Sequence, residues 1–353
     1  MEWSKIHSFY ISRELVVDYK VLGGNDLKNF IKKLKEKILK EENIEYEEAK
    51  ELLKISVDDT EMLDELCNSA NEIRKVFCGE RFDLCTITNA KSGRCSEDCK
   101  YCAQSKYFKT GIEEYSLISK EKALEEAKKV ESEGAHRYSL VTSGRGIGKN
   151  SKEIELLEET YNLLTKDTKL SLCASHGICD EEVLRRLYRA GVKTYHHNLE
   201  TSRDFYGNIC TTHTYDERIN TIKLAQKVGL QVCSGGIWGL GESDEDRLKM
   251  GFELKRLGVF SVPINILTPI PGTPLENSKP VNEKEILRMI AIYRFILPKA
   301  YLRYAGGRIK LGELQEKGIK SGINSALTGN FLTTTGTTIQ KDKEMIRRNG
   351  YEV

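Results

Sequence analysis

The chain has 353 residues, with 55 Lys+Arg against 53 Asp+Glu, 39% hydrophobic residues and 10 cysteines. That much apolar material supplies a buried core and excludes intrinsic disorder, and a net charge of +2 leaves no electrostatic footprint for nucleic acid or an acidic membrane. No stretch approaches 18 uninterrupted apolar residues, and the start MEWSKIHSFYIS lacks the basic flank and apolar run of a secretory signal, so a soluble, cytoplasmic protein is expected. Ten cysteines are too sparse for a secreted disulfide scaffold and would stay reduced in a cytosol; they read as inert thiols, redox thiols or metal ligands.

Residues 1–80 read as a helical N-terminal extension. Phe30, Ile31, Leu34 and Ile38 form an apolar stripe beside lysines 32, 33, 35, 37 and 40, a solvated basic face rather than a membrane-surface helix. Beyond them, short β-like runs alternate with longer helical patterns. Strands are predicted at 82–88, 136–142, 169–175, 193–199, 231–237, 259–267, 301–305 and 322–327. Ala123, Ala127 and Val130 stripe one intervening helix, and Ile219, Ile222 and Ala225 another. Gly134, Gly191, Gly229 and Gly258 stand where a helix closes in the left-handed conformation before the next strand. Eight strands alternating with helices predict an α/β fold, a (β/α)8 TIM-type barrel over residues 81–345, with 346–353 as a C-terminal tail. A doubly wound open sheet is the alternative, because periodicity is blind to closure.

Cys95, Cys99 and Cys102 fall within eight residues, at spacing C-x3-C-x2-C, in a loop directly after the first strand. Barrels of this kind build their active sites at that end of the strands. A structural zinc site wants four ligands, and here no fourth stands near, although a distant His176 or His197 would complete one. Exposed thiols without a function would be a chemical liability. Three thiolates on an iron–sulfur cube leave one iron open to a small molecule.

With Tyr101 just before the last cysteine, this motif resembles the signature of radical S-adenosylmethionine enzymes. The resemblance implies a [4Fe-4S] cluster whose open iron chelates the amino and carboxylate groups of S-adenosylmethionine, and a 5′-deoxyadenosyl radical formed by reductive cleavage. The chain is closer still to the biotin synthase family. SEDCKYCAQS, HHNLETSRDFYGNICTTHTYDERI, VCSGGIWGLGES, SVPINILTPIPGTPL and YLRYAGGR follow that family's order, and the likeness runs into the tail SGINSALTGNFLTTTG.

The other blocks carry chemistry that strands and helices do not require. Glycines 235, 236, 239 and 241 are poor strand formers and fit a place where a cofactor lies on the main chain. The resemblance sets Gly235, Ile237, Gly239 and Glu242 against the adenosyl part. Asn198 and Glu200 share one strand face. By resemblance Asn198 contacts both cosubstrate and the ureido ring of dethiobiotin, and Glu200 stands where the family usually has aspartate. Arg218 matches an arginine that holds the methionine carboxylate. Asn265, a polar residue in an apolar strand, matches one used for the ureido group. His176, His196 and His197 read as packed or hydrogen-bonded residues, the last two turned to opposite faces by strand alternation.

Cys173 and Cys233 lie within strands, where a buried cysteine is commonly a small hydrophobe. The resemblance instead makes them ligands of an auxiliary cluster, [2Fe-2S] in the family, with Arg303 as a further ligand and the cluster as sulfur donor. The family's remaining cysteine corresponds to Ser139, a poor iron ligand, whereas Cys85 stands on the first strand where the family has serine. The expected set is therefore Cys85, Cys173, Cys233 and Arg303, with Arg137 completing the shell and the cluster type open. Cys179 and Cys210 read as structural thiols.

The implied function is radical-mediated sulfur insertion into dethiobiotin to give biotin, by a homodimer drawing electrons from flavodoxin or ferredoxin. A hydrogenase-cofactor maturase or a methylornithine synthase is the nearest alternative. A non-catalytic iron–sulfur or zinc protein is the alternative of a different class.

Overall fold

The computed structural model describes residues 24–329 and 336–353. The first 23 residues of the extension, and the stretch 330–335 of the tail, lie outside the described residues. Eight strand positions close into a parallel barrel. The strands are β1 (Asp83–Lys91), β2 (Arg137–Thr142), β3 (Ser171–Ser175), β4 (Thr194–His196), β5 (Gln231–Cys233), β6 (Gly236–Trp238), β7 (Ser261–Ile266), β8 (Tyr301–Tyr304) and β9 (Ser325–Leu327). Neighbours run in the order β5-β4-β3-β2-β1-β9-β8-β7-β6, and a β5–β7 pairing, Cys233 with Ser261, closes the ring. The open sheet is thereby excluded.

The predicted fifth strand is interrupted and becomes β5 and β6. The cause is backbone crowding: a Cβ on Gly235 would lie 2.0 Å from the Pro263 carbonyl oxygen, and one on Gly236 would lie 2.4 Å from that of Glu200. Chain this close to its neighbours tolerates only glycine. Elsewhere the strand positions match the prediction to within a few residues. Gly134, Gly191, Gly229 and Gly258 take φ values of 94°, 106°, 95° and 62°, as a left-handed helix stop requires.

Helices Gly24–Leu39, Tyr46–Leu52 and Thr60–Cys78 pack beside the barrel, seated on helix Glu283–Ile296, every residue of which from Ile286 is buried. The Arg288 guanidinium of that helix donates to the carbonyls of Leu53 (2.9 Å) and Ile55 (2.8 Å), capping carbonyls that would otherwise be orphaned. The helix Ile339–Arg348 crosses the boundary expected at 345, and the chain end returns to the barrel, where Phe82 N–H donates to the Glu352 carbonyl at 2.8 Å. No helix among the described residues is long and apolar enough to cross a membrane.

Candidate active site

A cavity of about 330 Å³ runs from the loop after β1 into the barrel, and Cys95, Cys99 and Cys102 stand at one part of its wall. The loop folds back on itself: Cys95 N–H donates to Gln104 O (2.9 Å), Lys106 N–H to Cys95 O (2.9 Å) and Cys102 N–H to Cys99 O (2.9 Å). A second segment, 209–213, clamps it. The Asp98 carboxylate accepts from the backbone N–H of Thr211 (2.9 Å) and Thr212 (3.2 Å), which together with side-chain hydrogen bonds holds it well below the usual carboxylate range despite the opposing effect of burial. Glu97 is paired with His213 Nδ1 at 2.5 Å and with Arg145 at 3.2 Å. Cys210, read from sequence as a structural thiol, lies with its Sγ 3.7 Å from that of Cys99. The hydrogen bond from Cys99 brings the Cys210 thiol down, and contacts with His213 and Thr212 act in the same direction. Asp98 fills one of the variable positions of the C-x3-C-x2-C motif, and Cys210 and His213 lie far along the chain from it, so no distinctive spacing marks any of the three.

Tyr101, Asn198, Glu200 and Arg218 converge on the same cavity. Arg218 reaches it from the helix Tyr215–Lys227: Nε donates to the Tyr206 hydroxyl (2.6 Å), Nη1 to the Asn198 carbonyl (2.8 Å), and Glu200 lies 3.8 Å away. A buried guanidinium fixed this way has the charge and rigidity to receive a carboxylate. Glu200 takes φ of 72°, a strained value for a residue with a Cβ, and burial pushes its carboxyl up against the opposing Arg218 charge. Asn265 is tied on both sides, Nδ2 donating to Gly236 O (3.0 Å) and Oδ1 accepting from Gly306 N–H (2.9 Å). One amide hydrogen and further lone-pair capacity remain for a ligand.

The glycine block divides. Gly235 and Gly236 are required by strand crowding rather than by a free face, and Gly239, at φ of 104°, turns the chain. Glu242 faces away from the cysteine cavity, accepting from Gly239 N–H (2.8 Å) and Arg247 Nε (2.7 Å), while Ile237 lines an adjoining pocket shared with Tyr101 and Asn265.

Deeper in the barrel, Cys85 on β1, Cys173 on β3 and His196 on β4 bring their ligand atoms within 4.8 Å of one another. The neighbouring Cys173 thiol and burial push the Cys85 thiol up, while Cys85 draws that of Cys173 down. Cys233 pairs in register with His196 across β4 and β5, and Ser139 with Cys173 across β2 and β3. Burial brings the His196 imidazole down to about 4, leaving it neutral at ordinary pH. The Ser139 hydroxyl is buried without a partner. Thiols and an imidazole this close together are a donor set suited to an iron–sulfur group.

The counter-group of Arg303 is Asp83, which accepts from its Nη2 at 2.6 Å and from Arg137 Nε at 3.0 Å, so Arg137 is committed to that carboxylate. Arg303 also donates to Ser261 Oγ (3.3 Å) and Ala326 O (3.2 Å). Of the histidines, His176 is hydrogen-bonded as read, to Thr142 (3.0 Å) and Tyr161 (3.0 Å), whereas His196 stands among sulfurs.

Residues 90–254 match the Radical SAM superfamily model, and residues 263–352 match the Biotin and Thiamin Synthesis associated domain. A biotin synthase from Fusobacterium nucleatum subsp. nucleatum is 62% identical over 331 residues, covering 93% of this chain and 92% of the relative. The chain belongs to the biotin synthase family. It is thus a radical S-adenosylmethionine enzyme, as the C-x3-C-x2-C motif leads one to expect. The biotin synthase of Clostridioides difficile is 53% identical, with 93% of this chain and all of the relative covered (100%). Among solved structures, a methylornithine synthase has a TM-score of 0.77 at 19% identity, covering 90% of this chain and 96% of that one. An FeFe-hydrogenase maturase from Carboxydothermus hydrogenoformans also has a TM-score of 0.77, at 18% identity, covering 93% and 80%. At such identity these two share the fold, whereas the biotin synthase relatives share the family.

Proposed function

We propose that this chain works as a biotin synthase, inserting sulfur between C9 and C6 of dethiobiotin, and that the two ends of its cavity divide the task. The observation that carries this reading is the stacking of two thiol groups in one barrel: Cys95, Cys99 and Cys102 at the loop, Cys85, Cys173 and Cys233 below. When bound, the [4Fe-4S] cluster, S-adenosylmethionine and the auxiliary centre supply the one-electron chemistry and the sulfur.

The chain itself binds, orients and excludes water. The Cys95, Cys99 and Cys102 thiolates would hold the [4Fe-4S] cluster, three protein ligands that would leave room on it for the cosubstrate. Arg218, already fixed by Tyr206 and Asn198, receives the methionine carboxylate, and Glu200 and Tyr101 border the ribose and adenine. Gly235, Ile237, Gly239 and Glu242 shape that wall, Glu242 by fixing the turn rather than by touching the ligand. Asn198 and the free amide hydrogen of Asn265 receive the ureido ring. Ile87, Val141 and Leu327 give the cavity an apolar wall for the aliphatic carbons.

The auxiliary set is Cys85, Cys173 and Cys233, with Arg303 alongside, and Cys85 supplies the thiolate that Ser139 does not. A reducing cytoplasm suits ten free thiols, and a homodimer served by flavodoxin or ferredoxin is carried over from the family. Anaerobically reconstituted, reduced protein given S-adenosylmethionine and dethiobiotin should release 5′-deoxyadenosine and biotin. Radical formation with no biotin would overturn the reading.

A further inference from the structure

His196 belongs, by position, to the deep thiol group. It ends β4, pairs in register with Cys233 on β5, and lines the same cavity as Cys85, Cys233 and Arg303. One of its ring nitrogens lies within 4.8 Å of both the Cys85 and Cys173 sulfurs, so the three already have the spread of ligands around a small metal centre. The other described histidines are engaged elsewhere or walled in. His136 Nδ1 accepts from Leu84 N–H, both nitrogens of His176 are bonded, His213 is paired with Glu97, and His197 Nε2 is buried without a partner. The His196 ring makes no hydrogen bond among the described residues, although it stands beside the Cys85 and Cys173 sulfurs. An imidazole in such a place has a ring nitrogen with no hydrogen-bond partner to compete with a metal for it.

Arg303 is poorly available for the corresponding task. Its Nη2, Nη1 and Nε are engaged by Asp83, Ala326 and Ser261. Each of its three guanidinium nitrogens is thus already directed at an oxygen acceptor.

We propose that His196 is a protein ligand of the iron–sulfur centre bound by Cys85, Cys173 and Cys233, giving that centre a three-thiolate, one-imidazole donor set. The proposal rests on the reading that these cysteines hold an auxiliary centre. Compared with a four-thiolate set, an imidazole in the fourth place removes one negative charge from the ligands and raises the reduction potential, as in Rieske centres. The imidazole thus fixes both the charge of the centre and the number of its protein ligands.

The test uses the reconstituted holoprotein, reduced, without S-adenosylmethionine, so that no cosubstrate nitrogen is present. Pulsed electron paramagnetic resonance is recorded on protein grown with natural histidine and with 15N-histidine. The proposal predicts a directly coordinated nitrogen on the auxiliary signal that changes from 14N to 15N with the labelled histidine. It also predicts loss of that coupling in His196→Ala and in the shape-preserving His196→Asn, and its persistence in His213→Gln. The isotope exchange needs no variant, so poor folding of a substituted chain leaves the question answerable. An auxiliary signal with no histidine nitrogen, or one unchanged in His196→Asn, would overturn the ligand assignment while leaving the auxiliary centre intact. Iron and sulfide sufficient only for the loop cluster would instead overturn the underlying reading, and the ligand assignment with it.

Discussion

Asp83 accepts a 2.6 Å hydrogen bond from Arg303 across the barrel interior, joining β1 to β8 by a buried ion pair. The same carboxylate receives Arg137 from β2, so one acid compensates two guanidiniums beside the deep thiols. Burial alone would raise the Asp83 carboxyl, but the two cations outweigh it and hold it below its ordinary value.

Removing that charge should be costly. Asp83→Asn leaves two buried cations uncompensated and should destabilise the cluster-free chain by about 3–5 kcal/mol near neutral pH. Because the folded-state pKa is depressed, the contribution of Asp83 is complete above its unfolded value of about 3.9 and is lost as pH falls through the lower folded value. The stability difference between wild type and Asp83→Asn, read from denaturant unfolding, should therefore narrow as pH drops below about 4. A difference that stays constant across that range would contradict the ion-pair assignment.

Cys85 and Ser139 can be told apart by metal content. Cys85→Ala should lose the auxiliary iron and sulfide yet still cleave S-adenosylmethionine, since the loop thiols are untouched. Ser139→Ala should retain the iron, because its hydroxyl has no partner and the thiolate it replaces is supplied from β1. Iron and sulfide analysis of the two variants gives the answer.

Asp98 governs the loop cluster indirectly. Asp98→Ala removes the acceptor for the Thr211 and Thr212 N–H groups and should cost about 1–3 kcal/mol of stability. With segment 209–213 released, iron should be lost from the Cys95–Cys99–Cys102 cluster to a chelator several times faster than in wild type. Visible absorbance during chelation follows this directly.

Gly235→Ala should be among the most damaging single-methyl changes in the chain. Its Cβ would meet the Pro263 carbonyl at 2.0 Å, backbone that cannot yield without disturbing the β6–β7 pairing. A loss of about 3 kcal/mol or more is expected in thermal or urea unfolding. Gly207→Ala, with nothing within 4 Å and a φ of −59°, should change stability by no more than about 1 kcal/mol.

The barrel was legible in the sequence because parallel βα repeats announce themselves through alternating apolar periods and left-handed glycine stops, and Gly134, Gly191, Gly229 and Gly258 all carry positive φ. The break between β5 and β6 was not, since it comes from the approach of Pro263 and Glu200, residues distant in sequence from Gly235. The C-x3-C-x2-C motif, Asn198, Glu200, Arg218 and Asn265 were readable as motif residues, and they meet in one cavity. Asp83, Asp98, Cys210 and His196 take their surroundings from tertiary contact alone. An aspartate that neutralises an arginine over two hundred positions away leaves no local pattern, and a histidine beside another histidine reads as packing until the strands are set in register.

The central claim is that the deep thiol site supplies the sulfur that enters dethiobiotin. Protein reconstituted with 34S-sulfide, freed of excess sulfide and given S-adenosylmethionine, reductant and dethiobiotin for one turnover should yield biotin carrying 34S, as read by mass spectrometry. Wild-type protein should give this label, and Cys85→Ala should give 5′-deoxyadenosine with no labelled biotin. Biotin formed with unlabelled sulfur, or labelled biotin formed undiminished by Cys85→Ala, would contradict it.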